Sequence, residues 1–304
     1  MSNDKLINNL KKITDLQLIE NQDLSDYTSF AVGGPSDIFL IPSTIAAAQS
    51  AFKLINQAQL PYLILGAGSN LVISDQGFRG ATIYTEELNQ TRVENNTVIT
   101  QTGLSLADLS TLALEHELTG FEFASGIPGS LGGALYMNAG AYGGEIKDVL
   151  SEITVIDHQG QQQILTKSEI NLGYRQSILQ EKPYLAVQAK LELSPGNKTE
   201  IKAKIDDLTE KRWAKQPMEM PSAGSMFKRP VNHYASALID QAGLKGTTVG
   251  DAQVSTKHAG FIVNLGSASA QDIKELVEVV QEKIYNRYEV KLETEPKFIG
   301  NFEA

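Results

Sequence analysis

The chain has 304 residues, no cysteine and a formal charge of -10. Absence of cysteine excludes disulfides, thiolate metal sites and cysteine nucleophiles, and the acidic balance argues against broad nucleic-acid binding, which needs Lys and Arg to neutralise phosphates. Hydrophobic residues at 41% and charged residues at 20% lie near globular averages, and no stretch approaches the roughly 18 apolar residues of a membrane span. A soluble protein of two or three compact units is therefore expected.

The opening, "MSNDKLINNLKKITD", is polar and lacks the apolar centre of a secretory signal, so a cytoplasmic location without membrane insertion is expected. In "PSTIAAAQSAFKLINQAQLPYLILGAGSN", Ser43 or Thr44 can cap a helix in which Ile45, Ala48, Phe52 and Ile55 recur at helical spacing. The apolar run Tyr62 to Leu65 then reads as a strand and "GAGSN" as a loop. A second helix is expected over 105 to 117, after Ser105. Short β-rich runs surround it: "LVIS", "ATIY", "NTVITQT", "EITVIDHQG" and "YLAVQAKLEL".

"SPGNKTE", residues 194 to 200, is a Pro, Gly and polar break and the best linker candidate, so a domain boundary is expected there. Beyond it "EIKAKIDDLTEKRWAKQ" reads as a helix. "SAQDIKELVEVVQEKIYNRYEV" reads as another, with Ile273, Leu276, Val277, Val280 and Ile284 on one face. The whole reads as α+β, with no internal repeat.

Two glycine-rich stretches carry chemical interest. Gly66 and Gly68 follow a strand, but Leu71 opens a β-rich run where a dinucleotide turn needs a third small residue and a helix. The loop is either an ordinary turn or an anion-binding concavity of successive backbone N–H groups. "ASGIPGSLGGALYMNAGAYGGE", residues 124 to 145, holds seven glycines. Such density serves close approach of backbone to a ligand or to another backbone, and Ser130 and Asn138 add hydrogen-bonding groups.

In "PSAGSMFKRP" (221 to 230), Ser225 could attack a substrate, donate a proton or cap a helix. Attack requires an oriented base. The four histidines, at 116, 158, 233 and 258, have no esterase context, and "AGSMF" lacks the second glycine of a nucleophile elbow. His258 in "STKHAGFIVN" is expected to hydrogen-bond near a strand start. Lys211, Arg212, Lys215, Lys228 and Arg229 form a local basic cluster around the serine. No His, Asp and Glu group has metal-ligand spacing, so no metal is expected.

"TSFAVGGPSD" (28 to 37), "LGAGSNL", "GIPGSLGGALYMNAGAYGGE", "GYRQS" (173 to 177), "PSAGSMFK" and "LETEPKFIG" (292 to 300) together resemble the UDP-N-acetylenolpyruvoylglucosamine reductase family over nearly the whole chain. No long insertion follows "GYRQS", as in the family's shorter, type II branch. The resemblance implies an α+β flavoenzyme of the vanillyl-alcohol-oxidase/PCMH type. Two FAD-binding subdomains, 1–84 and 85–198, would be followed by a substrate-binding domain, 199–304, whose C-terminal strand carries Glu295.

The resemblance also assigns the site. FAD pyrophosphate would lie on Gly66, Ala67, Gly68, Ser69, Asn70 and Leu71, and the flavin side along Ile127, Gly129, Ser130, Gly132, Gly133, Asn138 and Gly140. NADPH would reduce the FAD, and the enolpyruvyl ether of the UDP-sugar would become UDP-N-acetylmuramate in peptidoglycan precursor synthesis. A monomer is expected.

Reducing an enolpyruvyl ether needs hydride at one alkene carbon, a proton at its neighbour, and stabilisation of the charge that develops on the carboxylate between those steps. Hydride chemistry belongs to the cofactor, while the protein supplies orientation and electrostatics. By the resemblance Arg175 holds the carboxylate, a task its planar fork suits. Glu295 assists there, and Ser225 donates the proton. Lys215, Lys228, Tyr142 and Tyr174 are implied substrate contacts. One departure stands out: Pro296 follows the catalytic glutamate, where many members have proline before it, and it biases Glu295 toward extended backbone.

Overall fold

The computed structural model describes residues 3–302. They gather into two compact units, each built from discontinuous segments. The first holds residues up to Glu20, Asp37–Ala67 and Gly80–Glu210; the second holds Asn21–Ser36, Gly68–Arg79 and the residues from Lys211 onward. The division expected from sequence, at 84/85 and 198/199, is finer and cuts the chain elsewhere.

In the first unit a four-stranded sheet runs in the order Leu16–Asp23, Pro35–Pro42, Phe78–Tyr84, Tyr62–Leu65, the last two strands being parallel. The Ile45–Ala58 helix covers it. Thr44 caps this helix by accepting the Ala47 N–H at 3.2 Å, and Gln59, in the left-handed conformation, ends it. Its apolar stripe Ala48, Ala51, Phe52 and Ile55 is buried with Ile38, Leu40, Ala81 and Ile83 of the sheet. The expected 3.6-residue spacing and the Tyr62–Leu65 strand both hold.

A five-stranded antiparallel sheet follows, in the order Gln162–Thr166, Leu150–Ile156, Leu185–Glu192, Thr97–Gln101, Thr91–Glu94. The Leu106–Glu115 helix, capped by Ser105 on the Asp108 N–H at 3.0 Å, buries Leu106, Leu109 and Ala113 in the core beside this sheet.

The second glycine stretch contains an element the sequence hid, the helix Leu131–Met137. Two glycines in its first turn cost about 1 kcal/mol each relative to alanine, which masks the helical signal. Burial of Leu131 and Leu135 and the Ser130 cap on the Gly133 N–H offset that cost. A Cβ on Gly132 would lie 3.2 Å from the Thr102 carbonyl oxygen, so this glycine serves approach of one backbone to another.

Residues 194 to 200 are held rather than loose. Ser194–Pro195 pairs with Leu118–Thr119, and Asn197 Oδ1 accepts the N–H groups of Thr199 and Glu200 at the start of the Lys198–Lys215 helix.

The second unit has its own core. The Ala270–Tyr288 helix begins with a capping box between Ser269 and Asp272, and buries Ile273, Leu276, Val277, Val280 and Ile284, the expected face. Packed with it are the Ala235–Gln241 helix and a three-stranded antiparallel sheet, Thr248–Val249, Ala252–Val254 and Ile262–Asn264. Leu71–Ile73 runs parallel to Lys297–Ile299, so the glycine loop after Leu65 joins two strands, as the β-rich run at Leu71 suggested.

Candidate active site

In the first unit the side chains cluster around "GYRQS". Gly173 and Gln176 exchange backbone hydrogen bonds, 3.1 and 3.3 Å, closing a two-residue turn with Tyr174 and Arg175 at its tip. Arg175 has φ 55°, a conformation that costs an L-residue about 1 kcal/mol or more. Its half-buried guanidinium lies 5.2 Å from the centre of the exposed Tyr174 ring. Tyr142 and Gly143, at φ 52° and 88°, form the tip of a second hairpin between Gly140–Ala141 and Gly144–Glu145, with both residues in the left-handed region as a type I′ turn requires.

Asn138 ends the 131–137 helix with φ 43° and is buried. Its Nδ2 donates to Glu145 Oε2 at 2.8 Å and to the Gly173 carbonyl at 2.9 Å, while its Oδ1 accepts the Lys147 N–H at 2.9 Å. The whole side chain is thus engaged within the protein. The Lys147 ammonium on Glu145, aided by Asn138 and by the charge of Arg175, holds the Glu145 carboxyl below the usual carboxylate range.

The two glycine stretches differ in what their amides do. At the start of the 131–137 helix, Leu131 N–H donates to Leu104, Gly132 N–H to Thr102 and Gly133 N–H to Ser130 Oγ. Among the described residues no acceptor meets the N–H groups of Gly66, Ala67, Gly68, Ser69 or Asn70. A side chain at Gly66 would collide with Ser130 Oγ, and one at Gly68, whose φ is +60°, with the Tyr27 carbonyl. Both glycines let the loop pack closely on its neighbours, and its N–H groups form a run of bare donors, which fits a diphosphate. Ile127 packs on the second core of the first unit, Gly129 has φ 150°, and Leu71 opens the strand after the loop.

In the second unit, residues 225 to 228 are pinned on both sides. Ser225 bridges to Phe261, with Met226 N–H on the Gly260 carbonyl at 2.8 Å. Phe227 bridges to Thr294, with Glu295 N–H on the Met226 carbonyl at 3.0 Å and Lys228 N–H on the Glu293 carbonyl at 2.9 Å. Met226 and Phe227 are buried in the core, but Ser225 is exposed, and its Oγ has no hydrogen-bond partner among the described residues. No helix starts there, since the next has Tyr234 at its N-cap; capping is excluded.

Asn70 ties the glycine loop to this region. Its Nδ2 donates to the Glu295 carbonyl at 3.4 Å, and its own carbonyl accepts the Lys297 N–H at 3.0 Å. Lys228 Nζ lies 3.3 Å from Glu293 Oε2, so Glu293 offsets its charge. Lys215, at the end of its helix, is exposed, and Arg212 is buried. The Arg229 guanidinium lies 4.3 Å from the Tyr234 ring centre, a contact with no signal in the sequence. His258 Nδ1 accepts the Gly260 N–H at 3.1 Å, and burial pushes its imidazole below the usual value. It is a structural acceptor near the 262–264 strand. Among the described residues no group of three or more His, Asp or Glu is placed to hold a metal ion.

The α+β fold with an FAD-binding domain, and a loop of bare amides that suits a diphosphate, mark the chain as a flavoprotein. Residues 36–166 match the family description "FAD binding domain", and residues 216–299 match "UDP-N-acetylenolpyruvoylglucosamine reductase, C-terminal domain". The chain is 47% identical over 292 residues to the UDP-N-acetylenolpyruvoylglucosamine reductase of Clostridium kluyveri (strain NBRC 12016), covering 96% of each protein. It is 46% identical over 295 residues to that of Listeria monocytogenes serovar 1/2a, covering 97% of this chain and 99% of the other. The crystal structure of the enzyme from Thermus caldophilus superposes with a TM-score of 0.80 at 34% identity, over 94% of this chain and 99% of that one. The chain belongs to the UDP-N-acetylenolpyruvoylglucosamine reductase family, and is an oxidoreductase.

Proposed function

We propose that the protein reduces the enolpyruvyl ether of UDP-N-acetylglucosamine-enolpyruvate to UDP-N-acetylmuramate with NADPH as hydride donor, as a cytoplasmic monomer serving peptidoglycan precursor synthesis. No helix among the described residues is long and apolar enough to cross a membrane. FAD supplies hydride transfer when bound. Bare N–H groups at Gly66 to Asn70 would hold its diphosphate. The three functional divisions are residues 1–84 and 85–198 for FAD and 199–304 for substrate; the four-stranded and five-stranded sheets fall in the first two.

Arg175 holds the substrate carboxylate bidentately and stabilises the charge that develops on it. Ser225 Oγ gives its proton to the carbon that becomes carbanionic, and water restores that proton to the exposed hydroxyl. Glu295, whose N–H is bonded to the residue after Ser225, polarises the carboxylate end. Lys215, Lys228, Tyr142 and Tyr174 contact the substrate, and Ile127, Gly129, Ser130, Gly132, Gly133, Asn138 and Gly140 lie along the flavin side.

The observation that carries this reading is an unpartnered serine hydroxyl on a segment pinned from both sides. A poor acid serves only when position does the work. The test is spectroscopic. NADPH should bleach the visible flavin band of the purified yellow protein, and the enolpyruvyl nucleotide should restore it without oxygen. Restoration only by oxygen would assign the protein instead to an oxidase of the same fold.

A further inference from the structure

We propose that Gln180 is a positioning residue that sets the pose of Arg175, an inference that rests on the assignment of Arg175 to the substrate carboxylate. An arginine at φ 55° stays in that conformation only where its surroundings fix it. The turn Gly173–Gln176 provides two backbone hydrogen bonds; the rest of the fixation comes from outside it.

Gln180 Nε2 donates to the Arg175 carbonyl at 2.9 Å and to the Tyr136 carbonyl at 2.7 Å. Two carbonyl oxygens fix the amide orientation, because Oε1 in that place would meet them with a lone pair. The same Tyr136 carbonyl accepts Ser177 Oγ at 2.8 Å, and Ser177 is fully buried. At the far end of the turn Asn138 Nδ2 donates to the Gly173 carbonyl at 2.9 Å. Tyr136 and Asn138 belong to the end of one short helix. The turn that presents Arg175 is therefore bolted to that helix at both ends, and the bolt nearest the arginine is Gln180.

A guanidinium that must meet a carboxylate bidentately tolerates little displacement. A misplacement of about 1 Å lowers rates by roughly 100-fold. Loss of the Gln180 donors frees the Arg175 carbonyl and lets the backbone relax, while the arginine itself remains.

The experiment uses full-length, FAD-loaded protein and follows the two half-reactions by stopped-flow absorbance. Gln180→Met keeps side-chain length and removes both donors. We expect flavin content and reduction by NADPH to stay within about twofold, substrate Kd within about threefold, and reoxidation by the enolpyruvyl nucleotide to fall about 10- to 100-fold. In an Arg175→Ala background the same substitution should change reoxidation less than about twofold, because its effect passes through the arginine. Gln180→Glu, run in parallel, reports the same quantities if Gln180→Met fails to hold flavin.

Unchanged reoxidation in the Gln180 variants beside a slow Arg175→Ala overturns the proposal alone. So does an equal loss in both half-reactions, or a full additional loss in the Arg175→Ala background. Normal reoxidation in Arg175→Ala itself removes the carboxylate assignment, and the proposal with it.

Discussion

At the scale of single residues, the serine and the arginine separate in time. Ser225→Ala should keep flavin and its reduction by NADPH while lowering the second half-reaction by about 10²- to 10⁴-fold, the range for one positioned acid; an unchanged rate of substrate reduction would remove the serine from the mechanism. Arg175→Lys exchanges a planar fork for a point charge, and steady-state turnover should fall about tenfold or more, at least about 1.4 kcal/mol of transition-state stabilisation. The residue types were legible in "GYRQS" and "PSAGSMFK" through their resemblance to one family. Their settings were not. Nothing in five letters marks Arg175 for a left-handed backbone, because the groups that hold it, the Tyr136 carbonyl, Asn138 and Gln180, come together only through tertiary contacts.

Among elements, the junction of Thr119–Glu122 with the Lys198–Lys215 helix offers a pH test. Burial by itself raises the Glu122 carboxyl, but Thr119 Oγ1 at 2.5 Å, the Gly120 N–H at 3.0 Å and Lys204 Nζ at 3.3 Å prevail and hold it below the usual range. A depressed folded-state pKa adds stability above the unfolded value, near 4.3, that is lost as pH falls through the folded value. Thermal melts from pH 7 down to 3 should lose that contribution at the acid end, and Glu122→Gln should flatten that limb. The helix itself was readable from its composition, as were the Ile45–Ala58 and Ala270–Tyr288 helices from their apolar spacing. The Leu131–Met137 helix was not, since its first turn holds two glycines, of which Gly132 answers to the Thr102 backbone rather than to helix propensity.

For the molecule as a whole, the discontinuous units make a sharp claim. The second unit's core includes Phe30, Val32 and Val72 beside Met226, Leu238 and Leu276. A fragment of residues 211 to 304 lacks the first three, and also the strand partner of Lys297–Ile299. Such a fragment should give a poorly dispersed NMR spectrum and no cooperative melt, whereas sharp dispersion would show that the C-terminal residues fold alone. The linear order of motifs places a functional boundary near 198, whereas the compact units part at 210/211 and the second takes in Asn21–Ser36 and Gly68–Arg79, because sequence shows neighbours along the chain and hides segments returned from far away. The pairing of Leu71–Ile73 with Lys297–Ile299, beside contacts between residues 225 positions apart, also bears on biosynthesis. At about 5–20 residues per second on the ribosome, the 71–73 strand waits roughly 10–45 s for its partner to be made. Until then the nascent chain carries an unmatched apolar edge, and chaperone occupancy during translation should concentrate on that interval.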